Sequence, residues 1–466
     1  MELEFYGAAD EVTGSLHRLR CAGAEILLDC GLFQGHREQS NRLNRELPSW
    51  ASKANALVLS HAHLDHSGGI PTLVKRGFDG NIYCTPPTRD LCSVMLRDAA
   101  MIQEQDARYL NKRYAKTKEH EAIEPLYRVE DAHRAIGQMV SIPFHRPLPI
   151  APGVTLCFYN SGHVLGSALV CLDLEEGNTK RRLLFTGDLG RDELPLLKPP
   201  EIVPDVDVLI CESTYGDRLH PDIARMDEEL ASIVTKTIGR GGRVLIPTFA
   251  LERAQEVLFA LERLSEKGRV PEVPIYIDSP LAIAITEVYK LHAESLAPDV
   301  AQRMLERNDP FSPPGLRYVS EIEDSKVLQK SKEPSIVIAG SGMCEAGRIL
   351  HHFRDGLGQS KNSVVIVGFM AQHTLGRRLV EGRHKVKVFG IERDVLADVH
   401  VLGGLSAHAD QNDLKNFVAQ TNNHGPLKQI ALAHGEAPAK RALKNLLASQ
   451  INADIILAEK GKTMPL

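Results

Sequence analysis

The residues with the clearest chemistry are Ser60-His61-Ala62-His63-Leu64-Asp65-His66-Ser67-Gly68-Gly69, which follow directly on the apolar run Ala56-Leu57-Val58-Leu59-Ser60. In extended backbone alternate residues face the same side, so His61, His63 and Asp65 are expected to point together. His66 starts the turn that must follow, and Ser67-Gly68-Gly69 permits a tight entry into a helix. Four ligand-type side chains therefore converge from six consecutive positions. Imidazole suits zinc, and the carboxylate completes a pair of sites. A polar loop of internally satisfied histidines is the alternative, but three His and one Asp clustered at a strand end have no packing rationale.

Three matching partners occur later, each after an apolar strand. They are His163 in Asn160-Ser161-Gly162-His163-Val164-Leu165-Gly166, Asp188 in Phe185-Thr186-Gly187-Asp188-Leu189-Gly190, and His434 in Ala433-His434-Gly435-Glu436. The adjoining glycines let backbone crowd a metal centre. Each is weak alone, because loops are polar; in this order, beside the first cluster, they form a set. Two divalent cations about 3.5–4 Å apart lower the pKa of a shared water toward ~7 and neutralise developing charge on the electrophile. That chemistry indicates a hydrolase without naming the bond.

The elements that must position these residues have a legible rhythm. Short apolar runs such as Ala24–Asp29 and Ala56–Ser60 have strand length and end in polar residues. Residues 90–140 are charged with helical spacing and predict two or more helices, either a solvated insertion or a lid. Closely spaced, antiparallel-style strands are expected at Val154–Tyr159, Ser167–Leu174, Arg181–Thr186 and Val206–Cys211, with a hairpin loop at 175–178. From about 217 to 390, helices near 222–239, 250–266 and 280–294 alternate with buried-type strands at Arg243–Pro247, Ile275–Asp278, Ser335–Gly340 and Ser363–Gly368. This is the pattern of an open, mostly parallel α/β sheet. Strands at Lys385–Ile391, Gln429–Ala433 and Asp454–Leu457 and a helix at 437–449 follow. The organisation expected is a first domain over 1–215, an inserted α/β domain over 216–390, and residues 391–466 returning to complete the first.

Composition sets outer bounds. The chain has 466 residues, 43% hydrophobic and 25% charged, which excludes a disordered chain, a collagen and a coiled coil. With 55 Lys and Arg against 60 Asp and Glu, the net charge of −5 does not advertise a general polyanion binder. Aromatic residues make up 5%, too few for stacking to be the main device for holding single strands. The eight cysteines form no C-x-x-C pair, so they read as buried thiols of a reducing compartment. No apolar run spans a membrane and Met1–Phe5 opens no signal sequence, so a cytoplasmic location is expected.

The His-x-His-x-Asp-His cluster with later His, Asp and His resembles the metallo-β-lactamase fold hydrolases. The resemblance implies an αββα sandwich with its site at one edge. It assigns His61, His63 and His163 to one zinc, Asp65, His66 and His434 to the other, and Asp188 to both. Asp29, in Leu28-Asp29-Cys30-Gly31, matches the carboxylate that supports the ligand shell. Glu212 in Cys211-Glu212-Ser213-Thr214, His408 in Ser406-Ala407-His408-Ala409-Asp410, and His434 resemble the three motifs of the β-CASP nucleases. Stretches 246–256, 340–344 and 374–379 agree, although His373 stands where many relatives have Gly. A histidine at the third motif favours RNA over DNA by resemblance.

The activity implied is zinc-dependent hydrolysis of RNA phosphodiesters, endo- or 5′→3′ exonucleolytic, leaving 5′-phosphate and 3′-hydroxyl ends. Manganese could replace zinc. His408 is the expected acid for the leaving oxygen and Glu212 its partner; a helix-end surface histidine and a structural carboxylate are the alternatives. Ser341 and Gly342, at a turn after a strand, and Arg253 and Arg377 are expected substrate contacts, with the basic run 377–387 read either as a backbone track or as a solvated face. The expected partner is single-stranded RNA, with a homodimer possible and no membrane. A single-strand DNA nuclease, a thioesterase of the same fold and a non-catalytic RNA-binding scaffold are the alternative functions.

Overall fold

The computed structural model describes residues 1–35, 37–114, 122–221, 223–368 and 370–466. The chain divides into two compact units, Met1–Leu219 with Ala407–Leu466, and His220–Ser406.

The first unit is built on two-sided strands. Along Ala168–Glu176, Ala168, Val170, Leu172 and Leu174 enter one core, while Leu169 and Cys171 enter another. A strand apolar on both faces must be covered on both faces. The first core fills the space between two sheets, each seven-stranded among the described residues. The second lies under helices Gln411–Asn423 and Ala437–Ala448, through Phe417, Val418, Leu443 and Leu447. Helix Pro86–Tyr114 buries Leu91, Cys92, Met95 and Leu96 outside the inter-sheet core and contacts the edge strand Met139–Ser141 of the first sheet. Its first half is thus a structural layer rather than a solvated insertion. The arrangement is the expected αββα sandwich.

Both sheets change from antiparallel to parallel partway across. In the first, Glu2–Gly7, Leu16–Cys21 and Ala24–Leu28 are antiparallel neighbours, and Ala24–Leu28, Ala56–Val58, Asn81–Cys84 and Met139–Ser141 are parallel. In the second, Val154–Asn160, Ala168–Glu176 and Thr179–Phe185 are antiparallel, and Thr179–Phe185, Val208–Cys211, Gln429–Leu432 and Asp454–Leu457 are parallel. Val208–Cys211 therefore departs from the expected antiparallel pairing. The segment 186–207 is a crossover that returns the chain in the same direction.

The second unit holds a sheet that is six-stranded among the described residues, in the order Leu316–Tyr318, Ile275–Asp278, Ser335–Ala339, Arg243–Pro247, Ser363–Ile366, Asp398–Val401. Every pairing in it is parallel. Helices Ile223–Gly239, Arg253–Glu266 and Pro280–Leu291 fall where periodicity places them. The compact second unit continues past residue 390. Lys385–Val388 and Ile391–Asp394 form a hairpin whose turn residues Phe389 and Gly390 both have positive φ (52° and 77°), and Asp398–Val401 adds to Ser363–Ile366 as the edge strand. The unit accordingly runs to Ser406.

Candidate metal centre

Most of the site residues share a structural origin, while His163 follows the antiparallel strand Val154–Asn160. Asp29 follows Ala24–Leu28, the His61–His66 run follows Ala56–Val58, and Asp188, Glu212 and His434 follow Thr179–Phe185, Val208–Cys211 and Gln429–Leu432. All five strands are in the parallel halves, so their carboxyl ends deliver side chains to one edge of the sandwich, as parallel α/β sheets generally do. Close backbone approach completes the delivery. A Cβ on Gly31 would collide with the carbonyl of Asp65, and one on Gly69 would come within 2.9 Å of the Cys30 and Gly31 carbonyls. The glycines after His66 thus do what their spacing implies.

Two donor groups face each other. His61, His63, His163 and Asp188 offer ligand atoms within 4.8 Å of one another, and so do Asp65, His66 and His434. In the first group His61 Nε2 is 3.1 Å from His63 Nδ1, which is 3.2 Å from His163 Nε2. In the second, the Nε2 atoms of His66 and His434 are 3.1 Å apart, and Asp65 Oδ2 is 3.8 Å from His434 Nε2. Asp188 spans both groups. Its Oδ2 lies 3.5 and 3.4 Å from the Nε2 atoms of His61 and His163, and its Oδ1 lies 3.2 Å from His66 Nε2 and from His434 Nδ1. The side chains that the resemblance assigns to two cations are thus brought together in two groups with Asp188 between them.

The outer contacts fix which nitrogens face inward. Asp29 Oδ2 accepts from His66 Nδ1 at 2.7 Å, from Ser60 Oγ at 3.0 Å and from Ser15 Oγ at 3.1 Å, while Oδ1 accepts the Ser60 amide at 2.8 Å. Because the Ser60 hydroxyl donates to Asp29, it accepts from His61 Nδ1 at 3.1 Å. His61 and His66 are therefore held with Nε2 free toward the centre. Thr214 Oγ1 donates to the His434 carbonyl at 3.1 Å and meets His434 Nδ1 at 3.2 Å. Ser15, Ser60 and Thr214 had no assigned role in the sequence. The only signal is adjacency: a serine directly before His61 and a threonine two residues after Glu212.

The electrostatics fit a cation pair. Burial, reinforced by facing imidazoles, holds His61 and His163 well below their usual range, and burial brings His63 to about 4, so all three are neutral ligands near pH 7. At His66 burial opposes charge, yet Asp188 and Asp29 outweigh it and raise its pKa well above the usual value. Positive charge is what those carboxylates favour there. Burial likewise opposes charge on Asp188, but His434, His66 and His408 hold it far below the usual carboxylate range. The buried Asp188 Oδ1, 3.2 Å from His66 Nε2 and from His434 Nδ1 but aligned for a good hydrogen bond with neither, points between the two groups. Three neutral imidazoles, an ionised Asp188 and a place at His66 where positive charge is favoured suit a pair of borderline divalent cations.

Beside this centre, His408 Nδ1 meets Glu212 Oε1 at 3.1 Å and Asp188 Oδ2 at 3.9 Å. Its side chain is 23% exposed, so one ring edge reaches solvent next to the ligands. Burial opposes its charge, but Glu212 and Asp188 raise its pKa to about 9. Glu212 is also structural, accepting the amides of Leu189 at 2.8 Å and Thr214 at 3.2 Å. Asp410, just after His408, caps helix Gln411–Asn423 through the amides of Asn412 and Asp413, which fixes the backbone carrying the imidazole.

The four expected substrate contacts lie in the second unit. The amide and hydroxyl of Ser341 both donate to the Ala346 carbonyl, at 3.3 and 3.2 Å, so neither waits for an anion, and the next helix begins only at Ile349. Gly342 packs against the Phe249 ring. Arg253 is paired with Glu256 on the same helix, and Arg377 with Glu381, which caps the carboxyl end of helix Leu375–Val380. Within the basic run, Arg383 meets Glu381, and Lys385 meets Glu392 and Asp394. His373 has φ 69°, so it keeps a backbone of the kind glycine adopts freely.

Fold and centre together define a two-cation hydrolase scaffold. The description "Metallo-beta-lactamase superfamily domain" matches residues 18–180, "Beta-Casp domain" matches 254–379, and "Zn-dependent metallo-hydrolase RNA specificity domain" matches 392–458. The chain is 36% identical over 465 residues to Ribonuclease TTHA0252 of Thermus thermophilus, covering 100% of both. It is 33% identical over 393 residues to Transcription termination factor FttA of Thermococcus kodakarensis and 30% over 448 residues to that of Methanosarcina mazei, spanning 57% and 66% of those proteins. A crystal structure of a protein of unknown function from Enterococcus faecalis shares the fold, with TM-score 0.55 and 14% identity, covering 100% of this chain and 99% of that one. The chain belongs to the β-CASP branch of the metallo-β-lactamase superfamily.

Proposed function

We propose that this chain is a metal-dependent ribonuclease acting on single-stranded RNA. The observation that carries the reading is the meeting, at one sandwich edge, of a complete two-cation donor set with a partly exposed His408 held by Glu212. The full-length similarity to a ribonuclease supports RNA as substrate. Zinc is the cation that an imidazole-rich set favours, and the carboxylate oxygens admit manganese.

When bound, the cations supply Lewis-acid activation of water and neutralise charge on the phosphate. The chain's own residues do the rest. Asp29, Ser60 and Thr214 orient the ligand imidazoles. Glu212 accepts from Nδ1 of His408, leaving Nε2 to hold the proton that passes to the departing 3′ oxygen. The products are then a 5′-phosphate and a 3′-hydroxyl. Arg253 and Arg377 are engaged with neighbouring carboxylates, and nothing in this reading depends on them. Eight buried free thiols suit a reducing compartment, which agrees with a cytoplasmic enzyme.

Digestion of an end-labelled single-stranded RNA by the zinc-loaded protein tests the reading. Fragments ending in 3′-hydroxyl and beginning with 5′-phosphate are expected, and product sizes report endo- or exonucleolytic action. Intact RNA after prolonged incubation, or 2′,3′-cyclic phosphate ends, would refute it.

A further inference from the structure

Phe249 is a large apolar side chain that the fold does not bury. It is 41% exposed, although it stands two residues beyond Arg243–Pro247, a strand buried along its whole length. This strand is central in the parallel sheet of the second unit, between Ser335–Ala339 and Ser363–Ile366. Chain connections diverge there. Arg243–Pro247 leads to Ile275–Asp278 on one side, while Ser335–Ala339 leads across it to Ser363–Ile366 on the other. In open parallel sheets, the crevice beyond the carboxyl ends at such a divergence is where ligands bind.

The ring is held rather than loose. Gly342, beyond one neighbouring strand, lies so close that a Cβ there would sit 2.6–2.8 Å from Cδ2, Cε2 and Cγ of the ring, and Gly368, beyond the other, would place a Cβ 3.9 Å from Cε2. Both positions lack side chains where the ring passes. The backbone carrying Phe249 is pinned as well. The buried Gln255 side chain donates to the Ala250 carbonyl at 3.2 Å and to Thr286 Oγ1 at 2.9 Å, tying this loop to helix Pro280–Leu291. The Thr248 amide donates to the Ala339 carbonyl at 3.0 Å. A rigidly presented, solvent-facing aromatic ring bracketed by glycines offers a flat π surface at little ordering cost, which is what an unpaired nucleobase stacks on.

We propose that Phe249 is a base-stacking residue that holds one nucleobase of the RNA strand. This inference rests on the ribonuclease reading above. It concerns grip on a base and not its identity, because every base has a stacking face.

The test uses the zinc-loaded full chain and a series of RNAs, each with one abasic nucleotide. For the native protein, one abasic position is expected to lower kcat/KM about 5- to 150-fold relative to its neighbours. In Phe249→Ala that position loses its special cost, whereas Phe249→Trp retains it. Trp50 is the chain's one tryptophan, so the introduced indole is also read against a single background emitter and is expected to be quenched on adding RNA. RNA cut with no position-specific cost, the same profile in Phe249→Ala and no quenching would overturn the stacking role while leaving the ribonuclease reading intact. RNA neither cut nor bound by any of the three proteins would overturn both.

Discussion

At the residue scale, the division of labour between holding cations and moving a proton falls between neighbours. His408 touches Glu212 and Asp188 but belongs to neither donor group. His408→Ala is therefore expected to keep its cations, measured by elemental analysis, while RNA cleavage falls by about 10²- to 10⁴-fold. Loss of the cations, or cleavage near the native rate, would remove the acid role. Asp29 has the opposite profile. It touches no cation position, yet it fixes His66 directly and His61 through Ser60. Asp29→Asn should weaken cation affinity about 10- to 100-fold in a chelator competition. At saturating cation it should retain more activity than His408→Ala.

How much of this was legible in the sequence depends on how local each signal is. The His61–His66 cluster reads directly, because strand alternation followed by a glycine turn needs no tertiary information. The roles of Ser15, Ser60 and Thr214 do not, since a hydroxyl becomes an orienting group only when a distant strand brings a carboxylate or imidazole beside it. The partners of the Ser341 turn are hidden from sequence reading in the same way. A strand–turn–helix spacing suggests open amides, but the fold turns that amide and hydroxyl onto Ala346.

At the element scale, Arg243–Pro247 and Ile275–Asp278 appear with the expected bounds because each is a short buried run closed by turn residues. The fate of 391–406 could not be read, because an edge strand's choice of partner is non-local and Asp398–Val401 alternates too little to declare a side. A buried polar chain also holds the second unit together. Asp278 accepts from His352 Nε2 and Ser325 Oγ at 2.7 Å and from Arg348 Nη1 at 2.7 Å, and Arg243 Nη2 approaches His352 Nδ1 at 3.4 Å. An arginine donating to Nδ1 requires a neutral imidazole. Burial accordingly holds His352 below its ordinary 6.5 despite Asp278. Burial opposes charge on Asp278, but His352, Arg348 and Ser325 hold it below 3.8.

A lowered His pKa means that, below pH 6.5, the unfolded chain takes up a proton the folded one refuses. Stability falls as pH drops from 6.5 toward the folded value, by at most about 1.4 kcal/mol per pH unit for one group. The Asp278 contribution, in contrast, is present above 3.8 and is lost only as pH falls through its lower folded value. Hydrogen exchange in Ile275–Asp278 and Ser335–Ala339 should therefore accelerate between pH 6.5 and 5, after correction for intrinsic rates. His352→Gln, which keeps a donor and cannot titrate, should flatten that response. An unchanged slope in His352→Gln would show that another group governs it.

At the scale of the whole molecule, one architecture explains why ligands drawn from positions 61 to 434 meet. Several parallel strands of two packed sheets open their carboxyl ends onto one edge and are followed by donors, and His163 joins them from the end of the antiparallel strand Val154–Asn160. The second unit presents its own parallel sheet, and no helix among the described residues is long and apolar enough to cross a membrane. The central claim is that this edge holds two cations and that RNA hydrolysis depends on them. It is tested most directly by stripping the protein with chelator, restoring Zn²⁺ stepwise, and measuring bound metal and cleavage of labelled RNA in the same samples. The account predicts no cleavage without metal, uptake of two cations per chain, one for each donor group, and activity that returns as the pair fills. Cleavage by the stripped protein, or intact RNA with both cations bound, would contradict it.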